Sequence, residues 1–369
     1  MVKKIKVLQI GMTPNKGGVE NYVMNLYRKI NREDIQFDFV DWYGDRNIAY
    51  SSEINTLGGK IFKIESRRKS PISNFKQLRN IFKNNNYQYV YYNMNSLSDI
   101  TGMKTVLKST KTKLIVHSHN DNIPNQKHIT RLFHSIHKHM MKNEIIRFAC
   151  SKNAGIWMFG SSKFRVIPNA IDTTNFIFDK EIRRLYKEKF ELGSKRVYGS
   201  VARLDPQKNP EHLIDVFYEI HEREKESVLV IVGDGVLKSK LVEKVKRLGL
   251  EQEVLFLGMR DDISGLMQMI DTMIAPSIFE GFGISVLEAQ AMGIRCYVSD
   301  IFNDEVLQTP IIKKISLHKT AKEWANEIIK DQNDHELMNR TSYAENIKRN
   351  GYDINQIASE LEYFFKKNI

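Results

Sequence analysis

Apolar residues recur along this chain in short runs that alternate with helical stretches. Lys4–Ile10 reads as a buried strand, with Ile5, Val7, Leu8 and Ile10 apolar. Gly17-Gly18 then opens a helical pattern beginning at Val19, Gln36–Val40 is a second strand with Phe37 and Phe39 alternating, and Lys60–Ile64 is a third. The pattern predicts a helix over Ile72–Phe82, strands over Tyr87–Tyr92 and Leu114–His117, a helix from about Gln126 to Lys142, and short strands at Arg147–Cys150 and Phe164–Ile167. After Pro168-Asn169 the alternation restarts. Strands at Val197–Val201, Val228–Val232, Val254–Leu257, Met273–Ala275 and Cys296–Val298 are separated by helices at Pro210–Lys225, Leu237–Leu248, Ser264–Ile270 and Ser285–Ala291. Such alternation in both halves predicts parallel sheets built from βαβ units, an α/β fold of two Rossmann-like domains that meet near Pro168. A last helix, Ile354–Phe365, carries an apolar stripe of Ile354, Ile357, Leu361, Phe364 and Phe365. That stripe needs a surface to cover, and the first domain is the candidate.

Length and composition agree with two domains and exclude several classes. The chain has 369 residues, 41% hydrophobic and 27% charged, which argues against disorder, collagen and coiled coil. Two cysteines, Cys150 and Cys296, cannot build a disulfide framework or a zinc knuckle and fit a reducing compartment. No run approaches the roughly 18 apolar residues of a membrane span, and the N-terminal apolar run is too short for a signal peptide, so a cytoplasmic chain is expected. Charge is uneven. Residues 1–169 hold 28 Lys/Arg against 11 Asp/Glu, a surplus of +17, while residues 170–369 hold 28 against 33, or −5. A basic half seeks an anionic partner: a membrane, a nucleic acid or an anionic substrate.

The candidate chemistry sits at strand ends, where doubly wound sheets bind ligands. Gly17 and Gly18 follow the first strand and begin a helix, so a phosphate can approach the backbone and meet the helix N-terminus. In Gly199-Ser-Val-Ala-Arg203-Leu-Asp-Pro-Gln-Lys208, two cations five residues apart can converge on one anion, which suits a diphosphate. In Glu280-Gly-Phe282-Gly283-Ile-Ser-Val-Leu-Glu288, a glycine-rich turn runs into a helix. Carboxylates eight apart are too separated to serve one scissile bond by default and suit two sets of hydroxyls.

These motifs, taken in order with Gly17-Gly18-Val19-Glu20, Pro168-Asn169-Ala170-Ile171-Asp172 and Gly233-Asp234-Gly235, resemble glycosyltransferase family 4, retaining enzymes of the GT-B fold. The resemblance covers nearly the whole chain. It implies two Rossmann-like domains facing each other across a cleft: 1–169, with a returning helix 353–369, for the acceptor, and 170–352 for a nucleotide-sugar donor. It implies that Gly17 and Gly18 meet the donor phosphates, Arg203 and Lys208 hold the diphosphate, and Glu288 binds the ribose. Glu280, with the amides near Phe282 and Gly283, would bind the hexose, and the loop around Gly258 and Met259 the base. His117-Ser118-His119-Asn120 looks like the branch that makes capsular and exopolysaccharides, where a histidine approaches the donor sugar. Either His117 or His119 can take that role, and His119 is preferred because it lies further beyond the strand. Two departures are visible: Ala170 stands where the family usually has Gly, and Ile301-Phe302-Asn303-Asp304-Glu305 replaces a glycine-rich stretch.

No Asp-x-Asp occurs, so a metal-bridged diphosphate is not expected, and the six histidines from His117 to His139 lie among cations that disfavour a metal. The resemblance implies a UDP-linked donor, front-face attack with retention, and a polyprenyl-diphosphate-linked acceptor. Two rivals stand beside it. One is a sugar-nucleotide epimerase of the same fold. The other is a nucleic-acid-binding protein, disfavoured because Tyr87, Tyr89, Tyr91 and Tyr92 read as sheet residues. Two basic helices of the first half place Ile72, Phe75, Leu78 and Phe82, and then Ile129, Leu132, Phe133 and Ile136, on what reads as their inner faces. Lys76, Arg79, Lys83, Arg131, Lys138 and Lys142 lie outside. Cationic outer faces predict a peripheral protein on the anionic inner face of the bacterial membrane.

Overall fold

The computed structural model describes residues 4–109, 112–120, 128–139, 144–333 and 340–368. It divides into two compact units, residues 1–170 with 354–369, and residues 171–353. In the first unit seven strands, β1 (Ile5–Ile10), β2 (Ile35–Asp41), β3 (Ile61–Lys63), β4 (Tyr89–Met94), β5 (Lys113–Ser118), β6 (Ile146–Ala149) and β7 (Arg165–Val166), form one sheet in the order β3-β2-β1-β4-β5-β6-β7. Every pairing in it is parallel. Helices Gly18–Lys29 and Ile354–Lys367 cover one face, burying Tyr22, Tyr27, Ile357, Leu361 and Phe365 against Phe37, Tyr89 and Phe148. The final helix thus returns to the first unit, and Tyr89 Oη donates to the Phe365 carbonyl at 3.0 Å. Helices Pro71–Asn84, Thr101–Ser109 and Lys152–Phe159 cover the other face.

The second unit repeats the plan with six parallel strands: β8 (Arg196–Val201), β9 (Ser227–Val232), β10 (Val254–Gly258), β11 (Thr272–Ala275), β12 (Arg295–Ser299) and β13 (Ile312–Ile315), in the order β10-β9-β8-β11-β12-β13. A parallel strand buried on both faces reads as a continuous apolar run, and all six residues of β9 are buried. Helices Pro210–His221, Lys238–Arg247 and Ala321–Asn333 close one face. Helices Ile263–Met269, Ile284–Ala291 and Tyr343–Arg349 close the other.

Two helices of the first unit depart from the amphipathic reading. In Pro71–Asn84 the inward side is Leu78, Ile81 and Phe82, while Ile72 is 71% exposed and Phe75 also faces solvent. The larger correction is helix His128–His139. Ile129, Leu132, Phe133 and Ile136 point outward, each between 43 and 59% exposed, and the only fully buried residue is His134. Its Nδ1 accepts the Leu97 N–H at 3.1 Å, its Nε2 faces the Trp157 carbonyl at 3.3 Å, and its ring stacks on Trp157. His137 Nδ1 donates to the Leu97 carbonyl at 2.6 Å. The physical reason is that three other helices already cover this sheet face, so the helix is held by polar contacts to the loop after β4. Lys142, expected on the outer side, lies outside the described residues, as do residues 126 and 127 of the expected helix.

Candidate functional site

A doubly wound sheet opens a crevice where its strand order reverses, because the loops after the two central strands leave in opposite directions. In the second unit that point lies between β8 and β11. After β8 comes a 3-10 turn, Pro206–Lys208, in which the Asp205 carboxylate accepts the Lys208 N–H at 3.2 Å. After β11 comes the segment running to Glu280. The two loops are stitched together: Ile278 N donates to the Gln207 carbonyl at 2.8 Å, and Gln207 Nε2 to the Phe279 carbonyl at 3.0 Å. Ser299, at the end of β12, fixes the second loop by donating to the Ser277 carbonyl at 2.6 Å.

The stitching brings Lys208 Nζ onto the Glu280 carboxylate as an ion pair, with the two side chains only 18% and 12% exposed. Ser277 Oγ donates to the same carboxylate at 3.4 Å. A cavity of about 20 Å³, room for a single water, is lined here by Val201, Ala202, Lys208, Glu280, Ser285 and Phe302. Arg203, the other cation of the loop, is half exposed and pairs with Asp205 at 3.1 Å. The loop therefore carries both cations, but they face different carboxylates.

Glu288 lies in the second turn of helix Ile284–Ala291, half-buried, and its carboxylate has no partner among the described residues. Burial with no compensating donor raises its pKa from 4.5 to about 8. Gly283 caps this helix at φ 86°, and a Cβ there would fall 2.6 Å from the Phe302 ring, so glycine is needed twice over. The Phe282 ring is buried and stacks on Tyr352, which leaves only backbone groups for a ligand at that position. Along the same rim the Gly258 carbonyl accepts the Gly233 N–H at 2.8 Å, and Met259 is 61% exposed.

The reversal in the first unit's sheet falls between β1 and β4. The loop after β1 is shaped by Glu20, a buried carboxylate that accepts the Thr13 N–H at 2.8 Å and the Gly17 N–H at 3.1 Å. A Cβ on Gly17 would meet that carboxylate at 2.8 Å. Gly17 is thus committed to Glu20, and Gly18 starts the helix. His117, the next-to-last residue of β5, and His119, just beyond the strand, are both buried, their rings 4.1 Å apart. His117 Nδ1 bonds Tyr91 Oη at 2.8 Å, and Tyr91 Oη bonds Tyr22 Oη at 3.3 Å. His119 Nε2 donates to Asn93 Oδ1 at 2.9 Å, and Asn93 is oriented by its own Nδ2, which donates to Gln9 Oε1 at 3.0 Å. Burial lowers the His119 pKa to about 4 and holds His117 well below 6.5, so both imidazoles are neutral at pH 7. Gln9 Nε2, His117 Nε2, His119 Nδ1 and Asn169 Oδ1 are buried without a well-formed hydrogen bond, the Asn169 side chain lying beside His119 and the Ile167 backbone beside His117, which leaves capacity for a polar ligand.

Sequence reasoning missed Asn93, Gln9, Gln207 and Ser277. Their signal was slight: Gln9 and Asn93 are polar residues inside otherwise apolar strands, at adjacent strand ends that only the fold brings together. Among the described residues no group of three or more His, Cys, Asp or Glu side chains could hold a metal ion.

Two family models divide the chain between them: Glycosyltransferase Family 4 matches residues 16–175, and Glycosyl transferases group 1 matches residues 182–349. The chain is 30% identical over 335 residues to EpsF of Bacillus subtilis, a protein named as a glycosyltransferase, covering 88% of this chain and 86% of the relative. It is 38% identical over 151 residues to the Escherichia coli UDP-Gal:alpha-D-GlcNAc-diphosphoundecaprenol alpha-1,3-galactosyltransferase, 39% of this chain and 38% of that protein. The crystal structure of Anabaena HepE in complex with UDP and glucose superposes with a TM-score of 0.79 at 18% identity, over 98% of this chain and 100% of that one. The chain belongs to the family 4 glycosyltransferases and has the GT-B architecture.

Proposed function

We propose that this glycosyltransferase moves a hexose from a UDP-linked donor to a polyprenyl-diphosphate-linked saccharide, with retention at the anomeric carbon, in building a capsular or exopolysaccharide repeat unit. The second unit takes the donor and the first the acceptor. Lys208 and Arg203 neutralise the departing diphosphate, Glu280 orients the hexose, Glu288 accepts the ribose hydroxyls, and the Gly258–Met259 rim meets the base. The amides of Phe282 and Gly283 and that of Gly18 add donors for sugar and phosphate oxygens. Gly17 acts through the loop shape that it permits beside Glu20. His119 presents an unprotonated Nδ1, an acceptor for a sugar hydroxyl. With cations and helix N-termini to stabilise the leaving group, no metal is assigned to the reaction. The leaving phosphate would take the acceptor's proton in a front-face attack.

The observation that carries this reading is the Lys208–Glu280 pair at the strand-order reversal of the second sheet, with the unpaired Glu288 one helix further on. A cation and two carboxylates there match a ligand that is anionic at one end and a polyol at the other. The donor and acceptor classes are supported by the names of the relatives, one of which acts from UDP-Gal on a diphosphoundecaprenol-linked sugar. Association with the inner face of the membrane follows from such an acceptor and from the basic first half. A screen of nucleotide sugars by thermal shift tests the proposal: the true donor at 100 times its dissociation constant adds about 2.7 kcal/mol of stability. No stabilisation by any nucleotide sugar or by UDP would reject it. Conversion of the donor alone to an epimer would replace it with the epimerase reading.

A further inference from the structure

Helix His128–His139 turns its polar side towards the protein and its apolar side to solvent. Ile129, Leu132, Phe133 and Ile136 form one outward stripe, while His134 and His137 bind the backbone of Leu97. A helix that served only to cover the sheet would be built the other way round. The loop that receives it continues to Asp99, which forms an ion pair with Arg67. Arg67 leads into helix Pro71–Asn84, whose first turns present Ile72 and Phe75 to solvent. One loop at the C-terminal edge of the first sheet therefore anchors both outward apolar surfaces.

The charges on the two helices themselves are of one sign, while the exposed Glu65 and Asp99 lie beside them, Asp99 paired with Arg67. Arg68, Lys69, Lys76, Arg79 and Arg131 are exposed, and neither helix contains an Asp or a Glu. Exposed apolar side chains on helices that carry cations and no carboxylate complement a surface that is apolar below and anionic above. We propose that this rim inserts into an anionic lipid bilayer, with Ile129, Leu132, Phe133, Ile136, Ile72 and Phe75 among the acyl chains and the Arg and Lys side chains at the phosphates. The inference rests on the reading of a lipid-linked acceptor, which lies in that leaflet. It goes further by making the attachment apolar as well as ionic and by naming the inserted side chains.

The test uses the full chain and vesicles of phosphatidylcholine with and without phosphatidylglycerol. The unaltered protein sediments with the anionic vesicles, and high salt weakens this binding without abolishing it, because the apolar part is not screened. Leu132→Ser with Ile136→Ser, both at exposed positions, reduces vesicle binding about tenfold or more. Leu132→Cys carrying an environment-sensitive fluorophore shifts to the blue on vesicles; the native Cys150 and Cys296 are buried and stay unlabelled. No vesicle binding by the unaltered chain, unchanged binding by the double serine variant, or an unshifted label would each overturn the proposal. So would a dimer that the serine variant splits, which would make the stripe a self-association surface. Thermal stabilisation by UDP, read in the same samples, keeps the two readings apart: its persistence confines a failure to the membrane face, and its absence strikes the donor reading instead.

Discussion

The two units share a plan and differ in what they place at the strand-order reversal. The second puts a shielded Lys–Glu pair, a half-exposed Arg and an unpaired Glu there. The first puts neutral imidazoles, tyrosines and amides there, buried and partly unsatisfied. Yet the first half carries the surplus of cations, 28 Lys/Arg against 11 Asp/Glu. If the proposed diphosphate site at Arg203 and Lys208 is right, net charge does not locate it. The second unit, acidic overall, positions Lys208 and Arg203 on stitched loops, whereas the first scatters its cations over helices, strands and loops, Arg68, Lys69, Lys76, Arg79 and Arg131 among the exposed ones.

If that contrast is right, substitutions in the second unit's crevice act on chemistry. Glu280→Gln is expected to have the largest effect, a fall in kcat/KM of about a thousandfold or more with an unchanged circular dichroism spectrum. Activity near that of the parent would remove Glu280 from the donor site. Lys208→Ala should lower kcat about a hundredfold and Arg203→Ala about tenfold, since the shielded cation works in a lower dielectric than the half-exposed one. Equal losses would show that the difference in exposure does not matter.

Glu288 sharpens the comparison through pH. Its folded pKa lies above its unfolded value, so the folded chain binds the extra proton, and stability is lost as pH rises from about 4.5 through about 8. Glu288→Gln should raise the melting temperature of the unliganded protein at pH 8, by about 1–2 kcal/mol of stability, while weakening nucleotide binding. His119 has the opposite sign. Its folded pKa is depressed to about 4, so stability falls as pH drops below about 6.5, and His119→Asn should flatten that slope by about 1 kcal/mol at pH 5. The two effects oppose each other between about pH 4.5 and 6.5, so melting curves of parent and variants are needed to separate them, and a parent curve flat between pH 6.5 and 8 would contradict the Glu288 assignment.

Much of the fold was legible because parallel strands announce themselves as apolar runs, and loop chemistry such as Arg203, Lys208, Glu280 and Glu288 lies close in sequence to the strand ends that position it. What escaped depends on contacts distant in sequence. Gln207 meets Phe279, and Asn93 meets Gln9 and His119, only once strand order is known. Helix His128–His139 was misread for a different reason. Periodicity reveals that a helix has an apolar face but not which way the face points, and a buried histidine with backbone partners decided the matter.

The helix Ile354–Lys367 sets an order of events in the life of the chain. Residues 171–353 are contiguous and can complete their core as soon as they leave the ribosome. The unit synthesised first cannot, because Ile354, Ile357, Ala358, Leu361 and Phe365 belong to its core and are made last. Until they arrive, one side of the first sheet stays uncovered around Phe37 and Tyr89, so the half made first is finished last. A stop codon in place of Ile354 would leave the second unit's residues whole and the first with an apolar sheet face open to chaperones and proteases.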